Sequence, residues 1–259
     1  HPCASGQRGS GPTLEAWSAI TWMAASTTRI RVCPAVLAIP YRHPLVVAKM
    51  AETLDRLSDH RLVLALGAGG DDAAFAAMGQ AHRTGAEKRD LLAEALDVIH
   101  GLGSGTPFDY SGTQYHLRRA VINPPFNTHM PVWLGVHGPR MTRLVAEHAD
   151  GWLPSYPALS PDLVFNGISK IRSRAEKVGR DPATITYGYN VPVRFGSGEQ
   201  TTPHRVAGSP QHVAATLTEF VRGGVTHLNL WPVGIADFDS VISTLTREVI
   251  PRIRAVTAD

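Results

Sequence analysis

Residues 41–70 read YRHPLVVAKMAETLDRLSDHRLVLALGAGG and place a helix pattern directly before a short strand and a glycine cluster. Pro44 suits the first turn of a helix, and apolar residues recur after it at helical spacing. The run RLVLALG, residues 61–67, is typical of a strand, and glycines follow it. The stretch therefore predicts one step of a chain in which strands and helices alternate.

The same alternation of short strands and longer amphipathic helices continues to the end of the chain. Six β/α units are legible, and their strands begin near residues 29, 61, 131, 151, 185 and 226. This order predicts an α/β fold with parallel strands. We expect a (β/α)8 TIM barrel whose first two strands are missing from this chain, forming one domain over residues 1–259.

Three segments depart from the repeating unit. Residues 106–130 are too long and turn-rich for a plain connection, so they predict a hairpin excursion. Residues 196–208 are rich in Gly, Ser and Pro, which predicts a mobile loop without regular structure. Near the amino end, a helix is expected to open with Thr13 as a possible cap.

Composition narrows the function classes. The formal net charge is +3, and the 25 basic residues are scattered, so a nucleic-acid partner gains little support and a small-molecule substrate is expected. Cys3 and Cys33 are too few for a disulfide framework, and the apolar flanks of Cys33 predict a buried thiol in a reducing compartment. Without a signal peptide or membrane-spanning run, the expected location is the cytoplasm, with no membrane partner. The His and Cys spacings match no metal-ligand motif, so no metal is expected.

The glycine cluster at residues 67–70 admits more than one interpretation. A Rossmann turn would open a helix at once and carry a third glycine at the right offset, and neither feature is present. Asp71 and Asp72 raise the alternative of a barrel hydrolase with paired carboxylates. Adjacent residues rarely face one substrate from opposite sides, so a polar, solvated loop over residues 71–85 is the expectation.

The stretch at residues 41–70 resembles the signature of the luciferase-like monooxygenase superfamily: a Y/F-R-x-P start, an apolar helix, an LS-G-GR segment and a strand ending in G-x-G. Residues 14–32, 131–152 and 208–230 resemble further parts of that family. The resemblance implies an oxidoreductase or monooxygenase. Such a barrel would bind FMN or, slightly preferred from the HGPR segment, the 5-deazaflavin coenzyme F-420, and would pair as a homodimer. A non-catalytic or assembly-dependent barrel subunit with weak cofactor binding is the alternative.

The resemblance also implies which residues form the site. The catalytic candidate is His1, which matches the His of an Asp-His pair and would act as general acid or base. The bond between Ala35 and Val36 would be a non-proline cis peptide that buttresses the ring. The remaining cofactor-binding candidates are Leu37, Gly67, Ala68 and Gly69 at the ring, and Gly138, Pro139 and Arg140 at the phosphate. His137, beside the ring-binding strand, is a further cofactor-binding candidate and could act as acid or base in the way proposed for His1.

Aromatic and amide side chains near later strand ends complete the implied site. The substrate-pocket candidates are Tyr156, Tyr187, Asn190 and Trp231, with Tyr189 beside them. Two positions depart from the family's deazaflavin sugar-phosphate dehydrogenases, because Ser5 and Gly70 stand where those enzymes carry Trp and Glu. That particular reaction is therefore not expected.

Overall fold

The computed structural model of the chain describes residues 14–126, 130–234 and 237–257. The chain divides into two compact units, one ending at Gly135 and the other beginning at Val136. We call them unit 1 and unit 2. Both are built from alternating strands and helices, as the sequence predicts.

Unit 1 holds a three-stranded parallel sheet in the order β1-β2-β5, with Leu37 paired to Leu66 and Leu64 paired to Val132. Its strands and helices are α1 (Ala16–Ala25), β1 (Leu37–Ala38), α2 (Pro44–Leu57), β2 (Leu64–Gly67), α3 (Asp72–Ala77), α4 (Gly85–Leu102), β3 (Phe108–Ser111), β4 (His116–Ala120) and β5 (Val132–Leu134). Strand β2 is buried along its whole length, as expected for a parallel strand covered on both faces. The antiparallel pair β3-β4 forms the hairpin predicted within residues 106–130.

The backbone before β1 contains a bulge. Val32 bridges Leu62, and Leu37 pairs with Leu66, so five steps along one strand match four along its neighbour. One extra residue therefore lies between Val32 and Leu37, which is the definition of a β-bulge. The peptide bond between Ala35 and Val36 is cis and lies inside this bulge, which confirms the bond that the family resemblance implied.

Arg61 ties the end of α1 to the turn between α2 and β2. Its Nε donates to Ser58 O at 2.6 Å, and its Nη1 donates to Ile30 O at 2.8 Å. Its Nη2 donates to Ala24 O at 2.8 Å and to Thr27 O at 3.0 Å. The last carbonyls of a helix have no partner within the helix, so a single guanidinium satisfies acceptors that would otherwise need water.

Two local predictions in unit 1 were wrong. The first helix begins at Ala16, and its N-cap is Glu15 rather than Thr13, because the Glu15 carboxylate accepts from the amides of Trp17 and Ser18. The expected polar loop after the glycine cluster contains helix α3 instead. Asp71 is the cap of that helix and accepts from Ala74 N at 3.0 Å. Thr13 itself lies outside the described residues.

Unit 2 is organised around its longest strand, β7, which pairs in parallel with β6, β8 and β9. Its elements are α5 (Pro139–His148), β6 (Gly151–Trp152), α6 (Pro161–Lys177), β7 (Thr186–Phe195), β8 (Val206–Gly208), α7 (Pro210–Arg222), β9 (His227–Pro232), α8 (Phe238–Thr244), a π-helical turn (Leu245–Val249) and α9 (Ile250–Thr257). The prediction of irregular structure through residue 208 was wrong at its end, because residues 206–208 form β8.

No helix in the described ranges is both long and apolar enough to span a bilayer. Within the same ranges, no group of three or more His, Cys, Asp or Glu side chains is placed to hold a metal ion.

Candidate functional site

The carboxyl edge of the unit 1 sheet presents small and apolar groups. Gly67 is the last residue of β2 and pairs with Ala38. Ala35 is exposed, Val36 and Ala68 are half-buried, and Leu37 is buried. Ala35 and Val36 lie just before β1 in the chain, and Ala68 directly follows Gly67 at the carboxyl end of β2. These three residues are the accessible small apolar groups of the region.

Gly67 and Gly69, two of the ring-binding candidates, do not present bare backbone at this edge. A Cβ on Gly67 would lie 2.7 Å from Val36 Cγ2, and one on Gly69, where φ is +82°, would lie 2.6 Å from Phe75 Cζ. The missing side chains make room for Val36 and Phe75. A ring at this edge would meet the Val36 methyl groups that Gly67 supports, rather than the glycine backbone.

The surroundings of Asp71, Asp72 and Cys33 argue against a catalytic role for these side chains. The side chain of Asp71 caps α3, and Asp72 forms an ion pair with Lys88 at 2.6 Å. The hydrogen bond from Lys88 lowers the pKa of the Asp72 carboxyl, so this group stays ionised at neutral pH and does not suit the general acid of a hydrolase. Burial raises the pKa of the Cys33 thiol to about 12, which keeps it protonated and poorly nucleophilic.

In unit 2, helix α5 begins without a side-chain cap. Gly138 is its N-cap, with φ +91°, and Pro139 occupies the first turn. His137, Gly138, Pro139 and Arg140 are all exposed. Met141 N donates to Gly138 O at 3.1 Å, so the Met141 amide is already paired. An anion here would bind the amides of Gly138 and Arg140 and the Arg140 guanidinium.

Tyr187 does not lie where a substrate pocket was predicted. It is the second residue of β7, so it is near the amino end of the strand rather than the carboxyl end. Its hydroxyl donates to Pro182 O at 3.1 Å, and the Arg172 guanidinium lies 5.1 Å from its ring centroid. Tyr187 therefore packs against the helix layer.

Tyr156 and Tyr189 form an aromatic cluster with Phe220 of α7. The ring centroids are 5.4 Å apart between Tyr189 and Phe220, and 6.0 Å apart between Tyr156 and Phe220. All three side chains are buried. The prediction that Tyr156 and Tyr189 line a substrate pocket was therefore wrong, and both rings contribute to the core instead.

Asn190 is part of a row of polar side chains on the other face of the same sheet. Asn229 Nδ2 donates to Asn190 Oδ1 at 2.5 Å, and Asn190 Nδ2 donates to Ser155 Oγ at 3.4 Å. Trp231 lies two residues beyond Asn229 on β9, on the same face, and is 61% exposed. The sequence analysis missed Ser155 and Asn229, although the alternation in HLNLWP places Asn229 and Trp231 on one face.

A cavity of about 270 Å³ lies at the carboxyl ends of β7 and β9. It is lined in part by Arg194, Gly234, Asp237 and Ser240. Arg194 Nε pairs with Glu199 at 2.9 Å. The catalytic candidate His1 lies outside the described residues.

Comparison with known proteins identifies the family. Residues 3–206 match the family model described as luciferase-like monooxygenase. The chain belongs to the luciferase-like monooxygenase family.

Curated relatives of this luciferase-like chain include mycobacterial ketoreductases. A phthiodiolone/phenolphthiodiolone dimycocerosates ketoreductase of Mycobacterium sp. (strain JLS) is 30% identical over 198 residues, which are 71% of this chain and 49% of the relative. The protein of the same name from Mycobacterium bovis (strain BCG / Pasteur 1173P2) is 29% identical over 171 residues, covering 61% and 42%. The chain thus spans about half the length of these relatives.

Solved structures share the fold of this luciferase-like chain. The coenzyme F420 dependent tetrahydromethanopterin reductase from Methanopyrus kandleri superposes with a TM-score of 0.81 at 20% identity, covering 93% of this chain and 88% of that one. An F420-dependent secondary alcohol dehydrogenase in complex with an F420-acetone adduct gives 0.81 at 17% identity, covering 95% and 86%. The EDTA monooxygenase from Chelativorans sp. BNC1 gives 0.80 at 12% identity, covering 98% and 82%.

Membership of the luciferase-like family and the likeness to these structures confirm the predicted α/β fold class. The activity as an oxidoreductase or monooxygenase and the small-molecule substrate stay predictions. The choice between a deazaflavin and FMN, the homodimer and the cytoplasmic location stay predictions.

Proposed function

We propose that this chain is an oxidoreductase that uses a flavin-type cofactor, the deazaflavin coenzyme in preference to FMN, to transfer hydride to the carbonyl group of a small organic substrate. The observation that carries the proposal is at the carboxyl end of β2. There the Val36 side chain, from the bulge before β1, lies against Gly67, and its chain neighbour Ala35 is exposed. Ligands bind at the carboxyl ends of strands in barrels of this type.

The residues at this edge fit a planar heterocycle. Ala35, Val36 and Ala68 are small and uncharged, so they can pack flat against a ring without burying a polar group. When bound, a reduced deazaflavin supplies hydride, and the protein's task is to bind, orient and keep water out.

The amino end of α5 fits the phosphate of the same class of cofactor. It lacks a side-chain cap, and both Gly138 and Arg140 are exposed. A Cβ built on Gly138 has no atom within 4 Å, so the backbone there is open to a ligand. The first turn of a helix attracts anions through its free amides and partial positive charge.

Carbonyl reduction requires a residue of this chain that donates a proton to the substrate oxygen. As hydride adds to the carbonyl carbon, the C=O π electrons move onto the oxygen, which then takes a proton. A histidine side chain can deliver that proton, so His1 is the proposed acid and the exposed His137 is a second candidate.

The relatives favour reduction over oxygenation. The curated relatives with about 30% identity are ketoreductases, and two of the structural neighbours are F420-dependent enzymes. The chain spans about half the length of these ketoreductases.

Titration of the protein with the deazaflavin coenzyme and with FMN tests the proposal. We expect saturable binding of the deazaflavin, with weaker binding of FMN, and turnover of the reduced coenzyme with a ketone that does not depend on oxygen. Tight FMN binding with oxygen-dependent turnover would favour a monooxygenase instead. Binding of neither cofactor would overturn the proposal and leave the non-catalytic barrel.

The phosphate contact is tested with the Arg140→Gln variant. We expect it to weaken binding of the phosphate-bearing coenzyme several-fold and to leave binding of the phosphate-free deazariboflavin unchanged. Lys177→Gln removes the same charge from an exposed position at the far end of α6 and serves as the control. Equal losses for both ligands, or for both variants, would argue against a phosphate at α5.

A further inference from the structure

The cavity of about 270 Å³ in unit 2 contains polar groups that the proposed function does not use. It is lined by the last residues of β7, by the end of β9 and by one face of α8, so it lies wholly within unit 2. Ligand pockets that enclose drug-sized molecules span about 300–1,000 Å³. The cavity therefore suits a small ligand.

Arg194 presents a fixed guanidinium to this cavity. Its Nε lies 2.9 Å from Glu199 Oε1. A Cβ on Gly234 would lie 2.8 Å from Arg194 Nη1, 3.1 Å from Cζ and 3.3 Å from Nε, so the flat guanidinium packs against the Gly234 backbone. Among the residues that the structure describes, Nη1 and Nη2 have no hydrogen-bond partner. Both nitrogens are therefore open to a ligand, and a guanidinium can bind a carboxylate through two parallel hydrogen bonds.

The positive charge around Arg194 is only partly compensated. Glu199 also pairs through Oε2 with Arg205 at 3.1 Å, so a single carboxylate serves two guanidinium groups. The Nε of Arg205 is buried, and it has no hydrogen-bond partner among the described residues. The three side chains together keep one formal positive charge, which favours an anionic group at the open nitrogens of Arg194.

Asp237 contributes the opposite charge to the same cavity. Its Oδ1 accepts from the amides of Asp239 at 3.0 Å and Ser240 at 3.3 Å, which caps α8. In the described part of the chain, Asp237 Oδ2 has no hydrogen-bond partner, and no ion pair joins Asp237 to Arg194. The cavity thus holds a cation and an anion that lie too far apart to pair with each other.

This arrangement disfavours ligands that carry a single charge. Barrels of this type often hold a phosphate beyond the last strands, at the start of a short extra helix. Here the Asp237 carboxylate already occupies the first amides of α8 and would repel a phosphate, and Arg194 would repel a lone cation. A ligand with one charge of each sign avoids both repulsions. Apolar lining residues, including Val193 and Val241, can pack against the methylene groups between its two ends.

We propose that this cavity binds a small zwitterionic amino acid, whose carboxylate accepts from Nη1 and Nη2 of Arg194 and whose ammonium donates to Oδ2 of Asp237. The site is a second ligand site, and it requires neither the flavin-type cofactor nor any residue of unit 1. Hydrogen bonds between charged partners are about twice as strong as those between neutral ones, so two such ends can hold a small molecule.

Amino acids of increasing length test for two fixed ends. The full chain without cofactor is titrated calorimetrically with glycine, β-alanine, 4-aminobutyrate and 5-aminovalerate. The tightest binder is then compared with the acid and the amine that each lack one of its charged groups. We expect one length to bind most tightly, because Arg194 and Asp237 hold the two ends a fixed distance apart. That zwitterion should bind about tenfold more tightly than either single-charge counterpart.

Two variants assign the ends of the ligand. Asp237→Asn removes a charge but keeps the cap, because asparagine caps helices as well as aspartate does. It should weaken binding of the zwitterion about tenfold and improve binding of the acid, which no longer meets a negative charge. Arg194→Gln should weaken the zwitterion and the acid but not the amine. Asp181→Asn, at the cap of another helical turn, and Lys177→Gln, on α6, are the matched controls and should behave as the parent protein.

Thermal melting of each variant is recorded in parallel, because a merely structural role would lower Tm without reversing the preference between zwitterion and acid. The inference is overturned if no member of the series binds to the parent protein, if affinity does not depend on chain length, or if the acid or inorganic phosphate binds as tightly as the zwitterion. These results leave the proposed function untouched, because it is tested separately by titration with deazaflavin and FMN.

Discussion

Two candidate ligand surfaces, one in each unit, are built on opposite principles. At the carboxyl edge of unit 1, Gly67 and Gly69 lack side chains, and the space is filled by Val36 and Phe75. In unit 2, the row of Ser155, Asn190 and Asn229 consists of polar side chains that are hydrogen-bonded to each other. Unit 1 therefore offers an apolar contact surface to a ligand, and unit 2 offers hydrogen-bonding groups.

This difference predicts opposite responses to substitution. Adding one methyl group at the unit 1 edge should be harmful, because the neighbouring atoms are already in contact. In unit 2, removal of polar atoms should be harmful, because each removal leaves a partner unsatisfied. Single substitutions in each unit test this contrast.

The largest effect is expected for Arg61→Ala in unit 1. Its guanidinium donates to backbone carbonyls at the end of α1 and in the turn before β2, including Ala24 O and Ser58 O. Losing several charge-assisted bonds at once should lower the free energy of unfolding by about 3 kcal/mol or more. Denaturant unfolding measures the loss, and Arg29→Ala, at an exposed position, should change it by less than about 0.5 kcal/mol. Equal effects would show that Arg61 does not anchor unit 1.

Gly67→Ala tests the close packing at the edge directly. A Cβ there would lie 2.7 Å from Val36 Cγ2, so we expect a loss of about 1–3 kcal/mol in unfolding free energy and weaker deazaflavin binding. Val36→Ala in the same chain should recover part of the stability, which a double-mutant cycle measures as coupling. Gly70→Ala is the control, because a Cβ there meets no atom within 4 Å. Additive losses would contradict the packing account.

Asn190→Ala tests the centre of the row formed by Ser155, Asn190 and Asn229. It removes the acceptor of Asn229 and the donor to Ser155, so a loss of about 1–2 kcal/mol in unfolding free energy is expected. Deazaflavin affinity should be unchanged, in contrast to Gly67→Ala. A loss of deazaflavin binding without a loss of stability would show that Asn190 takes part in cofactor binding, which contradicts the contrast between the two units.

The smallest effect is expected for Glu15→Gln, and it depends on pH. Partial burial raises the pKa of Glu15, but hydrogen bonds from Ser18 and Trp17 and the Arg42 guanidinium outweigh it and bring the pKa to about 2. The folded pKa is below the ordinary value of 4.5 for glutamate, so the ionised carboxylate stabilises the fold above pH 4.5. This contribution is lost as the pH falls from 4.5 to about 2. Because the group is half exposed, the loss at pH 7 should be below about 1 kcal/mol.

The check is urea unfolding of Glu15→Gln and the parent protein across that pH range. The difference between the two should shrink as the pH falls below 4.5. A difference that is constant with pH would show that the carboxylate charge contributes nothing.

Much of the fold could be predicted from the pattern of residues. The strand runs ending at Gly67 and beginning near residue 185 are bounded by turn residues and separated by amphipathic helices, and local periodicity is enough to locate them. The helix after Asp71 was missed because six residues are too few to show a helical period. The first helix's cap was missed because Glu15 is an unusual N-cap.

The site was less predictable, because it depends on register and on which face each residue occupies. Tyr187 and Asn190 lie three residues apart on one strand, yet one packs against a helix and the other against Asn229. Aromatic character alone could not separate them. The Val36 side chain packs against Gly67 because of the bulge before β1. Neither composition nor residue spacing indicates that bulge.

The central claim is that the Val36 surface, supported by Gly67, carries the flavin-type ring. A crystal structure of the full chain with bound deazaflavin tests it most directly. The account predicts the tricyclic ring in van der Waals contact with Val36 and Ala68, at the carboxyl edge of β1 and β2. A ring bound elsewhere, with Val36 and Ala68 facing solvent, would contradict it.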